Sequence, residues 1–466
     1  MKTLFRRSLY TLGGLIAVLG LFHLEENWRG RRAWADWQRQ QDASGNAFDL
    51  ASFVPPPVAD GDNFAKVPLI ADAIEGRRPL ETSLGVGPHE LDAIQFGWRT
   101  GTRVDLDRLD KLLAGRGGLQ HMLESSRPGL DAFLEASRKP GCRVSMDYAR
   151  FPEIQIPAFL GFRNAARTLS LRALAELREG KNDAAFEDVS ALFRTVHLLR
   201  KEPILIVQLL RLALTDIALQ PTWEGLQAHA WSQEQLQALQ RQVGGLNLLE
   251  SFARTWRFEQ GLGEADHLQV VQERPWQRTY YPSSYSDSAK PGRVSSILRH
   301  LLIPRGWILQ DAVSASRNMT RIILAPLDVS EGRIDPRLQD QELQTAGSGF
   351  RMPFGPHWAQ IFRLFADQDI RVANDQASLD EASVACRLEQ YRLEKKAYPE
   401  RLSDLAVPLP MDVIGGQPLH YRRTADGGYA LYSVGWNARD DGGDPGQGKN
   451  ALTQGDWVWR IAGRSN

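Results

Sequence analysis

Between Ala158 and Leu199 the apolar positions recur every three or four residues. Phe162, Ala165, Ala166, Leu169, Ala173, Leu174 and Leu177 form one run; Phe186, Val189, Leu192, Phe193, Val196 and Leu199 form the next. This is the period of a helix with one buried stripe. Gly180 stops the first run and Asp183 suits the start of the second, so an antiparallel helical hairpin is expected. Glu202-Pro203 opens a third, more apolar helix through Ile204, Leu209, Leu210 and Ala213, with Pro221 as its expected end. Ser232 followed by Gln235 reads as the capping box of a fourth. The helical period dominates from about Val67 to Gln344. Paired helices suggest a tetratricopeptide-like arrangement. Trp, Tyr and Pro do not recur at a fixed spacing, so the expectation is an irregular antiparallel helical domain, in a chain that is mainly α.

The first 24 residues follow another pattern. Lys2, Arg6 and Arg7 precede an apolar run from Leu9 to Leu24, with Trp28, Trp34 and Trp37 beyond it. The run is slightly short of the ~20 residues of a spanning helix. Snorkelling arginines at one end and tryptophans at the other extend its reach. The expectation is a single membrane helix with its N-terminus in the cytoplasm and the bulk of the chain outside, in the periplasm. The alternative is a cleaved signal peptide with Val18 and Gly20 before the cut, and it exports the chain equally. Asp36 to Asp62 is polar and ends in Pro55-Pro56-Pro57. It reads as an extended spacer or as a strap along the body.

Gln272 to Val294, rich in Pro, Ser, Tyr and Gly, reads as a long exposed loop, and Arg351 to Pro356 as a second break. A helix from His357 to Lys396 follows, with Ser378 and Glu381 suited to a capping box and Tyr398-Pro399 beyond its end. Period-two segments then run from Leu419 to Arg423, Tyr429 to Val434 and Trp457 to Ile461. Ala425-Asp426-Gly427-Gly428 is a hairpin turn between the first two. A long helix followed by a small antiparallel sheet is an α+β plan. The expected division is therefore 1–27 as membrane anchor or signal segment, 28–66 as linker, 67–350 as helical domain and 351–466 as α+β module.

Asn437, Asp440, Asp441, Asp444 and Asp456 crowd one loop of that module, among Gly442, Gly443, Gly446 and Gly448. Calcium takes six to eight oxygens, from carboxylates, amides and carbonyls on a flexible turn. The loop suits that chemistry; an ordinary solvated Asp/Gly loop is the other reading. Around it stand Lys396-Ala397-Tyr398-Pro399, the segment Asp412 to Tyr421, Tyr432-Ser433-Val434-Gly435-Trp436-Asn437, Asp441-Gly442-Gly443-Asp444 and Asp456-Trp457. Over about 371–466 these residues resemble the C-terminal part of the major pseudopilins of type II secretion. The resemblance implies a pilin-like module whose last loop binds calcium, with Asn437, Asp441 and Asp456 as side-chain ligands. It also implies partners among envelope or secretion-system proteins. Asp412 lacks the family's following proline, and the family's peptidase signature is absent from Met1 to Gly14.

Composition narrows the function classes. The chain has 466 residues, 42% hydrophobic and 24% charged, which is the profile of a folded protein of two or three domains. Its formal net charge is zero, which argues against a nucleic-acid partner. Cys142 and Cys386 are its two cysteines: no metal knuckle or CxxC pair is available, and free buried thiols or one bridge remain. No HExxH, GxSxG, P-loop or GxGxxG occurs, and no two of the nine histidines stand at i, i+4. His197, beside the apolar stripe of its helix, is expected in the core. The expectation is a non-enzymatic envelope protein with a helical interaction domain. The alternative is an envelope hydrolase whose acids the fold brings together in that domain.

Overall fold

The computed structural model describes residues 2–46, 49–74, 97–146, 160–272, 303–345, 358–446, 448 and 451–463. The expected loop 272–294 and the break at 351–356 fall almost wholly outside these residues, as does the boundary at 350. The chain is mostly helical, with a small antiparallel sheet near its C-terminus and an apolar helix at its N-terminus.

Helix α1 (Lys2–Ala43) is continuous for 42 residues. Its apolar part is exposed: Leu9, Leu12, Leu15, Ile16, Val18, Leu21 and Leu24 all face outward. The segment expected as a linker is thus helical as far as Ala43. Beyond it, Phe53 and Val54 pack on the core, Pro55 is buried, and the Arg254 guanidinium stands 5.8 Å from the centre of the Phe53 ring.

The body begins with α2 (Pro68–Ile74), α3 (Leu106–Leu113) and α4 (Gly118–Ser137). The expected hairpin is α5 (Leu160–Arg178) and α6 (Asn182–Leu198). Gly180 turns between them with φ of 73°, a left-handed conformation that glycine adopts without strain. Asp183 does not cap α6; its carboxylate accepts from Gln235 Nε2 at 2.8 Å.

Helix α7 (Leu205–Gln227) passes through Pro221 rather than ending there. Proline removes the donor that the Ile217 carbonyl would receive. Ser170 Oγ on α5 donates to that carbonyl at 3.2 Å instead, so the tertiary structure repairs the break. This helix is apolar and long enough to cross a membrane, but it is mostly buried in the body.

Helix α8 (Gln233–Gly244) starts at the expected capping box of Ser232 and Gln235. Helices α9 (Leu248–Gln272), α10 (Arg305–Asn318) and α11 (Pro336–Gln344) complete the body. Cys142 and Cys386 are both buried and unpaired, and His197 lies exposed rather than in the core.

Helix α12 (Trp358–Lys395) spans 38 residues, and Ser378 and Glu381 lie in its interior rather than at its start. Ser378 Oγ donates back to the Asn374 carbonyl at 2.8 Å, four residues earlier, as a mid-helix serine does.

The sheet consists of β1 (His420–Arg423), β2 (Tyr429–Ser433) and β3 (Trp457–Ile461), antiparallel with β2 central. Leu431 pairs with Tyr421 on one side and Trp459 on the other. All five residues of β2 are buried, and α12 packs against β2 and β3. One apolar cluster runs from Phe64 to Ile461, so helices and sheet share a core.

Candidate functional site: the aspartate loop and the acids of the long helix

After β2 the chain reverses at Gly435, where φ is 65° and a Cβ would stand 2.2 Å from the Gly455 carbonyl oxygen. Residues 436–446 then fold over the start of β3, with Gly442, Gly443 and Gly446 in left-handed conformations. The loop's organising group is Asp456. Its carboxylate is buried and accepts the amides of Gly443 at 2.6 Å and of Asp441 at 3.1 Å, while its own amide donates to the Asp444 carbonyl at 2.8 Å. Burial raises its pKa above the ordinary aspartate value, against the two amide bonds that favour the charged form.

Asn437 Nδ2 donates to Asp441 Oδ2 at 2.7 Å and to the Gln454 carbonyl at 3.0 Å, and Asn437 Oδ1 accepts from the Arg439 amide. A carboxylate oxygen and a carbonyl oxygen thus converge on one electropositive group. Asp440 turns the other way: Oδ1 accepts from the Gly442 amide at 2.9 Å and Tyr432 Oη at 3.1 Å. His420 Nδ1 lies 3.3 Å from Oδ2, and its ring stacks on Tyr432. The Gly442 amide bond, above all, holds the Asp440 pKa below its usual value. Asp444 Oδ1 accepts the Gly446 amide at 3.0 Å.

The five expected ligands are therefore close in the chain but do not meet at one point. Among the described residues, no three His, Cys, Asp or Glu side chains cluster as metal ligands. The residues fit calcium in part. Asn437 and Asp441 share a point with the Gln454 carbonyl, Asp456 is committed to backbone amides, and Asp440 and Asp444 face elsewhere.

A second concentration of chemistry lies along α12. Asp369, Asp375, Glu381 and Glu389 are buried, although helices are expected to bury an apolar stripe. Each has a distinct structural partner. Asp369 accepts from Trp256 Nε1 at 2.7 Å and Gln339 Nε2 at 2.6 Å. Asp375 pairs with Arg99, which also binds Asp216 and Asn374. Glu389 gathers Arg392, Tyr398 Oη at 2.8 Å and His229 Nδ1 at 2.9 Å, and those bonds hold its pKa down to about 2 despite burial. Glu381 Oε1 accepts the Ser433 amide at 3.2 Å, while its Oε2 is buried without a partner. Burial holds this carboxyl well above the usual range, against the Ser433 amide bond that favours the charged form. Asp412 ties the preceding turn to the end of β2, accepting from Ser433 Oγ at 2.7 Å and the Val434 amide at 3.0 Å.

Between α8 and α12 a cleft of about 420 Å³ is lined by Gln237, Gln240, Arg241, Asp380, Ser383 and Pro410. Partial burial, above all, with the nearby Asp412 charge, pushes the Asp380 carboxyl up to about 7. Neither this cleft nor the α12 acids are marked by a motif. The visible signal is the polar run Asn374-Asp375-Gln376 and the pair Asp380-Glu381 inside a strong helical stretch. Comparison with protein-family models, curated proteins and solved structures finds no match to this chain.

Proposed function

We propose that this chain is a non-enzymatic, membrane-anchored cell-envelope protein. Its apolar N-terminal helix spans the cytoplasmic membrane, its helical body outside the cytoplasm binds envelope or secretion-system proteins, and its C-terminal part is a pilin-like module stabilised by calcium. The observation that carries the calcium reading is the convergence of Asp441 Oδ2 and the Gln454 carbonyl on the Asn437 side chain. Turning that carboxamide over would present its oxygen to the same point, at the cost of the bond that the oxygen now accepts from the Arg439 amide. Asn437 and Asp441 would hold the ion, while Asp456 keeps the loop's backbone in place. A bound calcium would tie the loop to the turn before β3 and close the end of the sheet.

A ligand that binds the folded state alone stabilises it by about 2.7 kcal/mol at a hundredfold excess over Kd. Millimolar calcium should therefore raise the melting temperature of the detergent-solubilised chain by several degrees relative to chelator. Magnesium should do much less, because it requires a tight octahedron and keeps its waters. Asp441→Ala should abolish the calcium response. Identical wild-type curves with calcium and with chelator would remove the ion from the proposal. Sidedness is read by alkaline phosphatase fused to the C-terminus, and an inactive fusion would reverse the topology.

A further inference from the structure

Helix α1 does not leave the membrane as a free stalk. Directly after the apolar run, Glu26 is buried against α10 and accepts from Trp307 Nε1 at 2.9 Å and Gln310 Nε2 at 3.2 Å. Asn27 Oδ1 accepts the Gly306 amide at 2.8 Å. The contact also reaches back into the apolar run, where the Phe22 and Trp307 rings meet edge to face at 5.7 Å. Around Trp307, Val271 and Ile303 form a half-buried apolar patch beside Val270 and Ile308. Arg31 and Arg32 on α1 and Arg305 at the start of α10 are exposed at the same end of the body, and Arg29 beside them pairs with Glu26 at 2.9 Å.

Length sets where this end must lie. Sixteen residues from Leu9 to Leu24 rise about 24 Å at 1.5 Å per residue. The hydrocarbon core is about 30 Å thick, so the apolar run falls short by several ångströms. A short span is accommodated by drawing its flanks toward the bilayer. Here one flank carries the α10 end of the body, attached through Glu26, Asn27 and Phe22.

We infer that the patch formed by Val271, Ile303 and Trp307 is a lipid-docking surface, seated in the outer headgroup layer of the membrane that α1 spans. This rests on the spanning reading of α1 given above. The patch is continuous with the apolar run through Phe22. Tryptophan suits the headgroup layer, and the neighbouring arginines suit anionic lipid phosphates.

The test uses the full chain in nanodiscs of phosphatidylethanolamine and phosphatidylglycerol. Because Cys142 and Cys386 are buried, single cysteines at Leu15→Cys, Ile303→Cys, Val271→Cys and Leu112→Cys can be labelled selectively with a nitroxide. Collision with oxygen, which partitions into lipid, is compared with collision with a polar nickel chelate. Labels at 303 and 271 are expected to favour oxygen several-fold more than the exposed label at 112, and less than the label at 15. A label at 15 in lipid with labels at 303 and 271 matching 112 would overturn the docking and leave the span intact. A label at 15 matching 112 would overturn the span itself and the docking with it.

Discussion

Asp369 shows how a single buried acid couples this fold to pH. It is fully buried, and burial pushes its carboxyl up to about 8, against the hydrogen bonds from Trp256 and Gln339. An unfolded aspartate releases its proton near pH 4, whereas the folded one keeps it until about pH 8. Across that window the folded state binds more protons, so this group's contribution to stability falls as pH rises and levels off above pH 8. Asp369→Asn replaces the neutral acid by a group that does not titrate. The stability of the variant relative to wild type should climb between pH 4.5 and 8, by up to ~1.4 kcal/mol per pH unit. Other acids such as Asp380 contribute to both curves and cancel in the difference. Melts of the two proteins across that range check this, and a gap independent of pH would mean that Asp369 carries no extra proton in the fold. The sequence hides this residue because burial of a carboxyl depends on what packs around it. Asp369 is polar on a helix whose both faces happen to be covered.

At the scale of elements, periodicity and turn chemistry were legible and tertiary repair was not. The α5–α6 hairpin, the Ser232 capping box and the three strands follow local rules that each segment carries within itself. Pro221 reads as a stop because nothing nearby in sequence reveals that Ser170, 51 positions earlier by numbering, supplies the missing donor. Ser378 and Glu381 have the spacing of a capping box, yet they lie mid-helix, where packing decides. The aspartate loop was legible as a cluster of oxygen donors. The direction in which each side chain turns depends on Asp456 collecting the amides of Asp441 and Gly443. The crossing of α1 and α10 is likewise unmarked, although its glycines are decisive. A Cβ on Gly306 would lie 1.9 Å from the Glu26 carbonyl oxygen, and one on Gly30 would lie 2.2 Å from the Gly306 oxygen. Gly306→Ala must push the helices apart and stretch the bonds from Trp307 and Gln310 to Glu26. Overpacking of this kind costs about 1–3 kcal/mol. The melting temperature should drop measurably, whereas Gly20→Ala, with open space around it, should leave it unchanged. Equal melts for the two variants would show that the crossing is not close-packed in solution.

For the whole molecule, the question is whether the C-terminal α+β part stands alone, as the change of period after Tyr398 suggests. The packing argues that it does not. Along α12, Val372, Ala373, Ala377, Leu379, Ala382, Val384, Ala385, Cys386 and Leu388 are all at most 1% exposed, which is burial around most of the helix rather than along one stripe. One face meets the sheet, and the others meet α7, α8 and α9. The outer strand is held from the body as well: Trp223 Nε1 donates to the Arg460 carbonyl at 2.8 Å, and the Trp98 and Trp459 rings lie 5.3 Å apart. Arg99, from the body, neutralises Asp375 on α12. A fragment beginning at Arg371 would expose several aliphatic side chains at about 1.5–3 kcal/mol each and leave Asp375 without its cation. The sum is comparable with the 5–15 kcal/mol that holds a typical domain folded. The fragment 371–466 should therefore show no cooperative thermal transition by circular dichroism, with or without calcium. Co-expression with residues 1–345 should restore a soluble complex in which both pieces co-purify. A cooperative melt with strand signal from the fragment alone would instead show that the sheet and the end of α12 are self-sufficient, with the contacts to Trp98, Arg99 and Trp223 as additions to a finished core.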